Sequence, residues 1–406
     1  MLETLYAFLD TRRDQIIRWQ RELTSRPALG PDNGGGGEQD KADWLTKELA
    51  VLGLAAIRQH PCPDDRVPCG FRPNISAKVP GADSRTLWVI SHLDVVPPGD
   101  VSLWDTPPFT LHVRGDRLYG RGVEDNQQGI VSSLLAAQAL LRCGLRPECS
   151  LGLLFVSDEE TGMSRGLPHV LATAPDLVAR DDLCLVPDMG DETGSMVETV
   201  EKSICWLRFT VLGAQCHASR PFAGANSLVA ASACILALDA LHRIFADRDA
   251  RFVPDGSTFV PSKKEANVEN INTLPGKDVF YVDCRVIPSY PLERILDEAR
   301  RIAGTVAREY GVRIDVEPVH AVQAPPATPD NALVVRRLLS ALAELRGLSG
   351  KIYGAGGLTE ANCLRSAGRQ AVAWATLSGS AHSCNESSSI PFTVADAKVI
   401  LRMLFP

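Results

Sequence analysis

The first half of the chain alternates between segments with helical spacing of apolar residues and short apolar runs. Residues 42–52 and 129–141 have apolar or small residues at helical intervals, which predicts two helices. Residues 74–79, 86–90 and 150–156 are short apolar runs between polar turns, and they predict buried strands. Alternating helices and buried strands predict an α/β fold, with a mostly parallel twisted sheet flanked by helices.

The pattern changes near residue 198. A β-α-β-β-α-β order follows, which is typical of a two-layer α+β (ferredoxin-like) domain. Its predicted elements are strands 203–212, 279–286 and 313–319, helices 227–245 and 292–310, and a less distinct second strand near 268–271. A proline cluster follows, and then the first pattern returns with helix 333–345, strand 371–376 and helix 394–404. We predict a catalytic domain from residues 1–197 and 321–406, interrupted by an inserted lid or dimerisation domain at 198–320.

Composition narrows the class of protein. A chain of 406 residues is longer than the length at which a single hydrophobic core stops growing, so more than one domain is expected. A content of 45% hydrophobic and 22% charged residues is typical of soluble globular proteins. A net charge of −7 without a long basic run gives no reason to expect nucleic acid or a membrane as partner. The N-terminal segment lacks a secretory signal, no window is apolar enough to span a bilayer, and the eleven cysteines include no Cys-x-x-Cys pair. These features predict a cytoplasmic protein with reduced thiols.

Five segments place a histidine or a carboxylate next to an apolar run. They are Ser-His-Leu-Asp (91–94), Gly-Arg-Gly-Val-Glu-Asp (120–125), Ser-Asp-Glu-Glu-Thr-Gly (157–162), Pro-Asp-Met-Gly (187–190) and Ala-His-Ser-Cys-Asn-Glu (381–386). In α/β sheets, ligands bind at the carboxyl ends of the strands. Two imidazoles and several carboxylates delivered there are the groups of a two-metal hydrolytic site.

Taken singly, these residues have ordinary structural explanations as well. His92 and Asp94 could be a satisfied polar pair, although a carboxylate beside a metal-binding histidine fixes its tautomer. Asp125 precedes a predicted helix, where capping alone favours a carboxylate, yet a carboxylate can also bridge two cations. Glu159 and Glu160 are adjacent carboxylates, which repel each other unless a cation is present or one is protonated. An acidic surface turn is the alternative for that pair.

Two further residues complete the candidate ligand set. Asp188 ends the apolar run 183–186, and His382 follows predicted strand 371–376 through a glycine-containing turn. A lone histidine in such a place is more often structural. The hypothesis of a metal site therefore depends on all five segments together.

The five segments, in this order and over essentially the whole chain, resemble the dizinc amidohydrolase family of acetylornithine deacetylase, succinyl-diaminopimelate desuccinylase and glutamate carboxypeptidase. The resemblance implies two divalent metal ions, zinc in the first place, with cobalt or manganese as alternatives. It implies that His92 and Asp188 bind one ion, Glu160 and His382 bind the other, and Asp125 bridges both.

The resemblance also implies the catalytic roles. The match to Glu159 is the general base that takes a proton from a metal-bridging water, and the match to Asp94 orients its histidine. In the inserted domain, Gly-Ala-Gln-Cys-His-Ala-Ser-Arg-Pro (213–221) matches the segment whose histidine, here His217, steadies the oxyanion, often across a dimer. A homodimer is therefore expected.

Substrate contacts follow from the resemblance in the same way. It implies that Asn272 contacts the substrate, that Arg285 binds a substrate carboxylate, and that Gly357 and Thr359 line the pocket. From the residues alone, Arg285 is as readily a surface charge at a strand edge. Two stretches depart from the family pattern: residues 126–128 read Asn-Gln-Gln where a Lys-Gly pair is usual, and residues 356–360 read Gly-Gly-Leu-Thr-Glu in place of Gly-Gly-Thr-Ser-Asp.

The predicted activity is hydrolysis of the amide bond of a small N-acyl amino acid, of the deacetylase or desuccinylase type. A dipeptidase or carboxypeptidase is the first alternative, because it would use every one of the same catalytic residues. A metal-free, non-enzymatic relative is the remote alternative, and the intact candidate ligand set argues against it.

Overall fold

The computed structural model describes residues 1–405, and the chain divides into two compact units. The first comprises Met1–Thr199, Ala327–Tyr353 and the residues from Thr359 onward, and the second comprises Val200–Pro326 with Gly354–Leu358. The sequence boundaries had left residues 354–358 in the catalytic domain. They lie with the second unit because its main chain binds them: Lys202 N donates to Ala355 O at 2.9 Å, and Gly354 N donates to Arg251 O at 2.8 Å.

The first unit is built on an eight-stranded sheet within residues 1–405. In spatial order its strands are Ala55–Gln59, Ile75–Val79, Ser150–Val156, Thr86–His92, Leu183–Asp191, Ala371–Thr376, Met196–Glu201 and Lys351–Ala355. The four middle strands from 150–156 to 371–376 run parallel, whereas their neighbours on either side pair antiparallel. The α/β class is thus confirmed, and the sheet is mixed, with its parallel part confined to the centre.

Helices cover both faces of this sheet. Leu87 and Val89 on one strand belong to one hydrophobic core, while Trp88 and Ile90 on the same strand belong to a second. Since neighbouring residues of a strand point to opposite faces, both faces are buried. The helices of this unit are Leu2–Asp10, Arg13–Thr24, Gln39–Leu52, Gln127–Cys143, Leu167–Thr173, Leu333–Arg346, Glu360–Ser366 and Ile390–Leu404, with short 3₁₀ turns at Pro31–Asn33 and Val101–Leu103. There are also two small sheets. One has three strands, Ser387–Ser389, Arg117–Tyr119 and His112–Arg114, and the other pairs Cys62–Pro63 with Phe71–Arg72.

The second unit has the β-α-β-β-α-β order that the sequence predicts. Its antiparallel sheet has the spatial order Thr258–Lys264, Lys277–Val286, Ser203–Leu212, Arg313–Val322, and helices Ser227–Ala237, Ala240–Ile244 and Leu292–Tyr310 complete it. The predicted second strand near 268–271 was wrong, because the strand lies at Thr258–Lys264. A two-stranded ribbon, Cys216–His217 with Thr273–Leu274, and a 3₁₀ turn at Pro221–Ala223 are added.

The predicted long helix 227–245 is two helices separated by Leu238 and Asp239. By length and composition alone, the stretch Ser227–Ile244 is apolar enough to cross a bilayer, with a mean hydropathy of 1.5. The prediction that no window is apolar enough to span a bilayer was therefore wrong by this criterion. Ala230, Ala231 and Cys234 are buried on the inner face of the first helix, as in a helix that packs on a sheet of a globular domain.

Candidate metal centre

The candidate site lies where the four parallel strands at the centre of the first unit end. His92 is the last residue of strand Thr86–His92, Glu159 and Glu160 follow strand Ser150–Val156, and Asp188 is near the end of strand Leu183–Asp191. His382 comes shortly after the next strand, Ala371–Thr376. Because parallel strands present their carboxyl ends at one edge, four separate segments deliver their side chains to the same place.

Asp125 connects the two histidines. Its Oδ1 lies 2.8 Å from Nε2 of His92, and its Oδ2 lies 3.1 Å from Nε2 of His382. Each histidine has a second carboxylate nearby: Asp188 Oδ1 is 3.8 Å from Nε2 of His92, and Glu160 Oε2 is 3.1 Å from Nε2 of His382. The structure therefore groups His92 with Asp188 and His382 with Glu160 on opposite oxygens of one carboxylate.

Asp94 supports this arrangement through hydrogen bonds to His92 and to the amides of Glu159 and Glu160. Its main-chain carbonyl lies 3.0 Å from His92 Nδ1, whereas its carboxylate is 3.6 Å from that nitrogen. The carboxylate accepts hydrogen bonds from the amides of Glu159, at 3.2 Å, and Glu160, at 3.0 Å. With the Nδ1 proton donated to the carbonyl, Nε2 of His92 is the nitrogen left for a ligand.

Charge accumulates strongly in this site. Hydrogen bonds that His382 donates to Asp125 and Glu160 raise its pKa to about 10. Burial, with the charge of Asp125, raises the pKa of Glu160 to about 7. Burial opposes ionisation of Asp125 too, yet hydrogen bonds from His382 and His92 hold its pKa well below its usual range. In the absence of a cation, protons on the histidines balance the carboxylates.

The donor set fits divalent cations. One ligand atom each from His92, Asp125 and Glu160 lie within 4.8 Å of one another, which is the spacing of groups around a bound ion. Oε1 of Glu160 is buried and has no hydrogen-bond partner among residues 1–405, although buried polar atoms are normally satisfied. Imidazole and carboxylate donors are those that zinc, cobalt and manganese accept.

Glu159 and Glu360 form a second acidic group beside the first. Ligand atoms of Glu159, Asp188 and Glu360 lie within 4.8 Å of one another. Burial, followed by the charge of Glu360, raises the pKa of Glu159 well above its usual value. Burial raises the pKa of Glu360 to about 8. A carboxyl group whose pKa is shifted upward in a site of this kind is suited to exchange protons near neutral pH.

Sequence reasoning missed Glu360 and Asn126 as members of the site. Asn126 Nδ2 donates to Asp188 Oδ1 at 2.8 Å and to Pro187 O at 2.8 Å, and so fixes the orientation of Asp188. Both residues lie in the two stretches that depart from the family pattern. That departure was the available signal, but it pointed only to substrate choice.

The same stretches contain structural residues. Gln127 Oε1 accepts from Thr24 Oγ1 at 3.0 Å, and Gln128 Nε2 donates to the carbonyl of Thr376 at 2.7 Å. Thr359 caps helix Glu360–Ser366 through a 3.1 Å hydrogen bond from Ala361 N to its hydroxyl. These three polar side chains therefore connect the site segments to the neighbouring helices and strands.

In the second unit, His217 lies on the ribbon strand Cys216–His217, and its side chain is exposed. The amide of Ser219 donates to Nδ1 of His217 at 3.1 Å, so in the neutral ring the proton lies on Nε2. His217 thus presents an N–H donor outward. Asn272 is exposed as well, and its carbonyl accepts from Ala218 N at 2.8 Å, which ties it to the His217 segment.

Arg285 already has partners within the second unit. Its Nε lies 2.7 Å from Asp283 Oδ1, its Nη2 lies 3.1 Å from Asp283 Oδ2, and its Nη1 donates to Gly356 O at 3.0 Å. Strand Lys277–Val286 is internal to its sheet, so the alternative of a charge at a strand edge was wrong. Gly357, beside the Arg285 contact, is half-buried.

The chain is similar to known proteins over most of its length. The model of "Peptidase family M20/M25/M40" matches residues 88–405. An uncharacterized metallohydrolase of Methanocaldococcus jannaschii is 34% identical, over 96% of this chain and 99% of its own length. A succinyl-diaminopimelate desuccinylase of Acidovorax ebreus is 26% identical, over 90% of this chain and 91% of its own. Among solved structures, the dipeptidase Dug1p of Saccharomyces cerevisiae has a TM-score of 0.76 at 17% identity, and the match covers 100% of this chain and 98% of that one.

The structural likeness to Dug1p shows a shared fold, whereas the family match spans residues 88–405, the range in which every candidate ligand lies. The resemblance stated from the sequence is confirmed, and with it the expectation of an enzyme over a non-enzymatic relative. The chain belongs to peptidase family M20/M25/M40, and is accordingly a metal-dependent hydrolase of amide bonds.

Proposed function

We propose that the chain is a two-metal hydrolase that removes the acyl group from a small N-acyl amino acid, of the acetyl or succinyl type. The observation that carries this proposal is Asp125, whose two oxygens face two different imidazoles, His92 and His382. One carboxylate between two nitrogen donors is the arrangement that bridging requires.

His92 and Asp188 would hold one ion, Glu160 and His382 the other, and Asp125 both. Zinc suits these ligands, with cobalt and manganese as alternatives. When bound, such ions polarise the scissile carbonyl and lower the pKa of a nearby water toward neutrality. Asn126 holds Asp188 in place, and Asp94 holds both His92 and the loop that carries Glu159 and Glu160.

Metal loading is expected to release protons. At pH 7 the imidazole of His382, with its pKa near 10, is protonated, and Glu160, with its pKa near 7, is about half protonated. Burial alone would lower the pKa of His92, but hydrogen bonds to Asp125 and Asp188 raise it well above its usual value, so this imidazole is protonated as well. Because ligands must lose their protons, loading metal-free protein should release about two to three protons per chain, and metal affinity should fall as the pH is lowered. Calorimetric titration in buffers of different ionisation enthalpy measures this number. His382→Ala should release fewer protons, and a heat independent of buffer would contradict the assignment.

Glu159 is proposed as the general base. Its raised pKa suits a group that takes a proton from the attacking water and returns it to the leaving amine. The side chain keeps part of its surface exposed, so a water molecule and a substrate can reach it. Glu360 is the carboxyl whose charge contributes to that pKa.

The second unit would supply the substrate contacts. His217, with its outward Nε2–H, would donate to the oxyanion of the tetrahedral intermediate. Arg285 would bind a substrate carboxylate while Asp283 holds its guanidinium in orientation. Asn272, Gly357 and Thr359 remain the proposed lining residues.

A homodimer that associates through the second unit is part of the proposal. Helix Ser227–Ala237 carries an exposed apolar stripe of Leu228, Val229 and Leu236, which are 37%, 48% and 77% exposed. Such a surface is typical of one that a second copy covers. The eleven cysteines are all free thiols, which supports a cytoplasmic location.

A deacylase is favoured over a dipeptidase because the desuccinylase relative is similar over nine tenths of the sequence, whereas the dipeptidase is similar in fold at 17% identity. A dipeptidase or carboxypeptidase on the same residues is the second candidate. Within the first unit nothing separates them, since both reactions need the same base and the same cations.

A hydrolysis screen separates the two candidates. Zinc-loaded protein is assayed on N-acetyl, N-succinyl and N-formyl amino acids and on dipeptides, with a chelated sample as control. Turnover of one acyl class that stops on chelation would support the deacylase. Turnover of dipeptides alone would assign a peptidase, and turnover unaffected by complete metal removal would refute a metallohydrolase.

A further inference from the structure

Two of the sequence motifs carry a buried glutamate that has no role in the proposed reaction. Glu124 precedes the proposed bridging ligand Asp125, and Glu386 follows the proposed ligand His382 by four residues. They are 2% and 1% exposed, respectively. Buried carboxylates are rare unless several donors satisfy them, so their partners indicate what they do.

Glu386 binds the segment that carries Asp125. One carboxylate oxygen accepts from Arg121 Nη1 at 2.7 Å and from Gly122 N at 2.9 Å. The other accepts from the amides of Glu124, at 3.0 Å, and Asp125, at 3.1 Å. A single side chain thereby holds three main-chain amides within residues 122–125, and the last of them belongs to a proposed ligand.

Glu124 makes the reciprocal contacts with the segment that carries His382. Its carboxylate accepts from the amide of Ser378, and also from the amide of Ser380 at 2.6 Å and its hydroxyl at 2.8 Å. Arg121 adds a third link, since its Nη2 lies 3.4 Å from the carbonyl of His382. Each segment therefore contributes a glutamate that binds the main chain of the other.

These contacts surround a backbone conformation that is uncommon. His382 has a φ of 63°, in the left-handed region that few residues other than glycine occupy. The side chains of Asp125 and His382, 257 positions apart, must nevertheless meet at 3.1 Å.

We propose that Glu124 and Glu386, joined by Arg121, form a reciprocal carboxylate clamp that positions Asp125 and His382 to bind metal. The inference rests on the proposed function for the metal, while the clamp itself is present in the metal-free protein. Glu124, Glu386 and Arg121 are positioning residues, because they act on the site through the main chain of the two ligands.

The test compares Glu386→Gln and Glu124→Gln with a matched control, Glu48→Gln. Glu48 is also buried, at 7% exposure, and also pairs with an arginine, Arg18, while accepting from Trp19 Nε1 at 2.7 Å. In all three variants the new amide group faces N–H donors where the carboxylate accepted hydrogen bonds. The control therefore reproduces the replacement of a buried, hydrogen-bonded carboxylate away from the metal segments.

Two measurements are made on folded protein. Hydrogen exchange of the metal-free protein should show faster exchange at residues 122–125 in Glu386→Gln and at residues 378–380 in Glu124→Gln, but at neither in Glu48→Gln. Competition with a chromophoric zinc chelator should show about 10–100-fold weaker zinc binding in the two clamp variants, and unchanged binding in the control. Ser380→Ala removes only the hydroxyl donor to Glu124, so it should weaken zinc binding less than the two glutamine variants do. It replaces them in the test if they do not fold.

The outcomes separate the clamp from the metal proposal. Unchanged exchange and unchanged zinc affinity in both clamp variants would overturn the clamp, as would equal losses in Glu48→Gln. If the unmodified protein binds no zinc, the proposed metal site is refuted. If the clamp variants of that protein still exchange faster, the clamp is a contact that only stabilises the fold.

Discussion

Glu159→Ala is expected to reduce turnover by about 10²–10⁴-fold while both metal ions remain bound, because a positioned general base contributes a factor of that size. Glu160→Ala is the matched control: it truncates the adjacent carboxylate, which the structure places 3.1 Å from His382 Nε2. That variant should lose metal from the His382 side, and its activity should fall with its metal content.

The measurement pairs steady-state kinetics with metal analysis of the same preparations. The kcat of Glu159→Ala should fall while its metal content stays close to the full value, since the group of ligand atoms that contains Glu159 also contains Asp188 and Glu360 but neither histidine. If Glu159→Ala instead loses metal, Glu159 is a ligand. If its kcat is unchanged, another carboxyl group carries the proton, and Glu360 is the neighbour to replace next.

Much of the site could be predicted because its residues follow apolar runs. Strand Ser150–Val156 and strand Ala371–Thr376 lie where the sequence predicts them, and Glu159 and His382 lie beyond their carboxyl ends. Burial on both faces makes such strands conspicuous, and parallel pairing brings their ends together. For these segments the local sequence pattern agrees with the position of the segment in the fold, so the sequence alone was sufficient to locate the site residues.

Other features depend on contacts that a local pattern does not encode. Strand Thr258–Lys264 contains Pro261 and is largely exposed, as befits an edge strand, so it lacks the alternation that identifies a strand. Glu360 enters the site only because the first residue of helix Glu360–Ser366 approaches Asp188 from a distant part of the chain. The contacts of Glu124 and Glu386 likewise join segments more than 250 positions apart. In each case, tertiary packing decides a role that the residue type leaves open.

His217→Ala should lower turnover by about 10²–10³-fold, the usual loss when one oxyanion donor is removed. Zinc content should not change, because His217 lies in the second unit and its ring contacts Ser219. Whether the donor acts within its own chain or across a dimer is then decided by mixing two inactive variants, Glu159→Ala and His217→Ala.

If His217 acts across the dimer, the mixture should regain about a quarter of the parent activity, because half of randomly paired two-fold dimers are hybrids and one of the two sites in each hybrid is intact. Leu236→Asp in both variants is the control, since Leu236 is 77% exposed on the proposed dimer surface and a charge there should prevent pairing and recovery. Recovery that persists in the Leu236→Asp pair would place the interface elsewhere. No recovery, despite demonstrated subunit exchange, would assign His217 to its own chain's site or remove it from catalysis, and the dimer would then have no part in the chemistry.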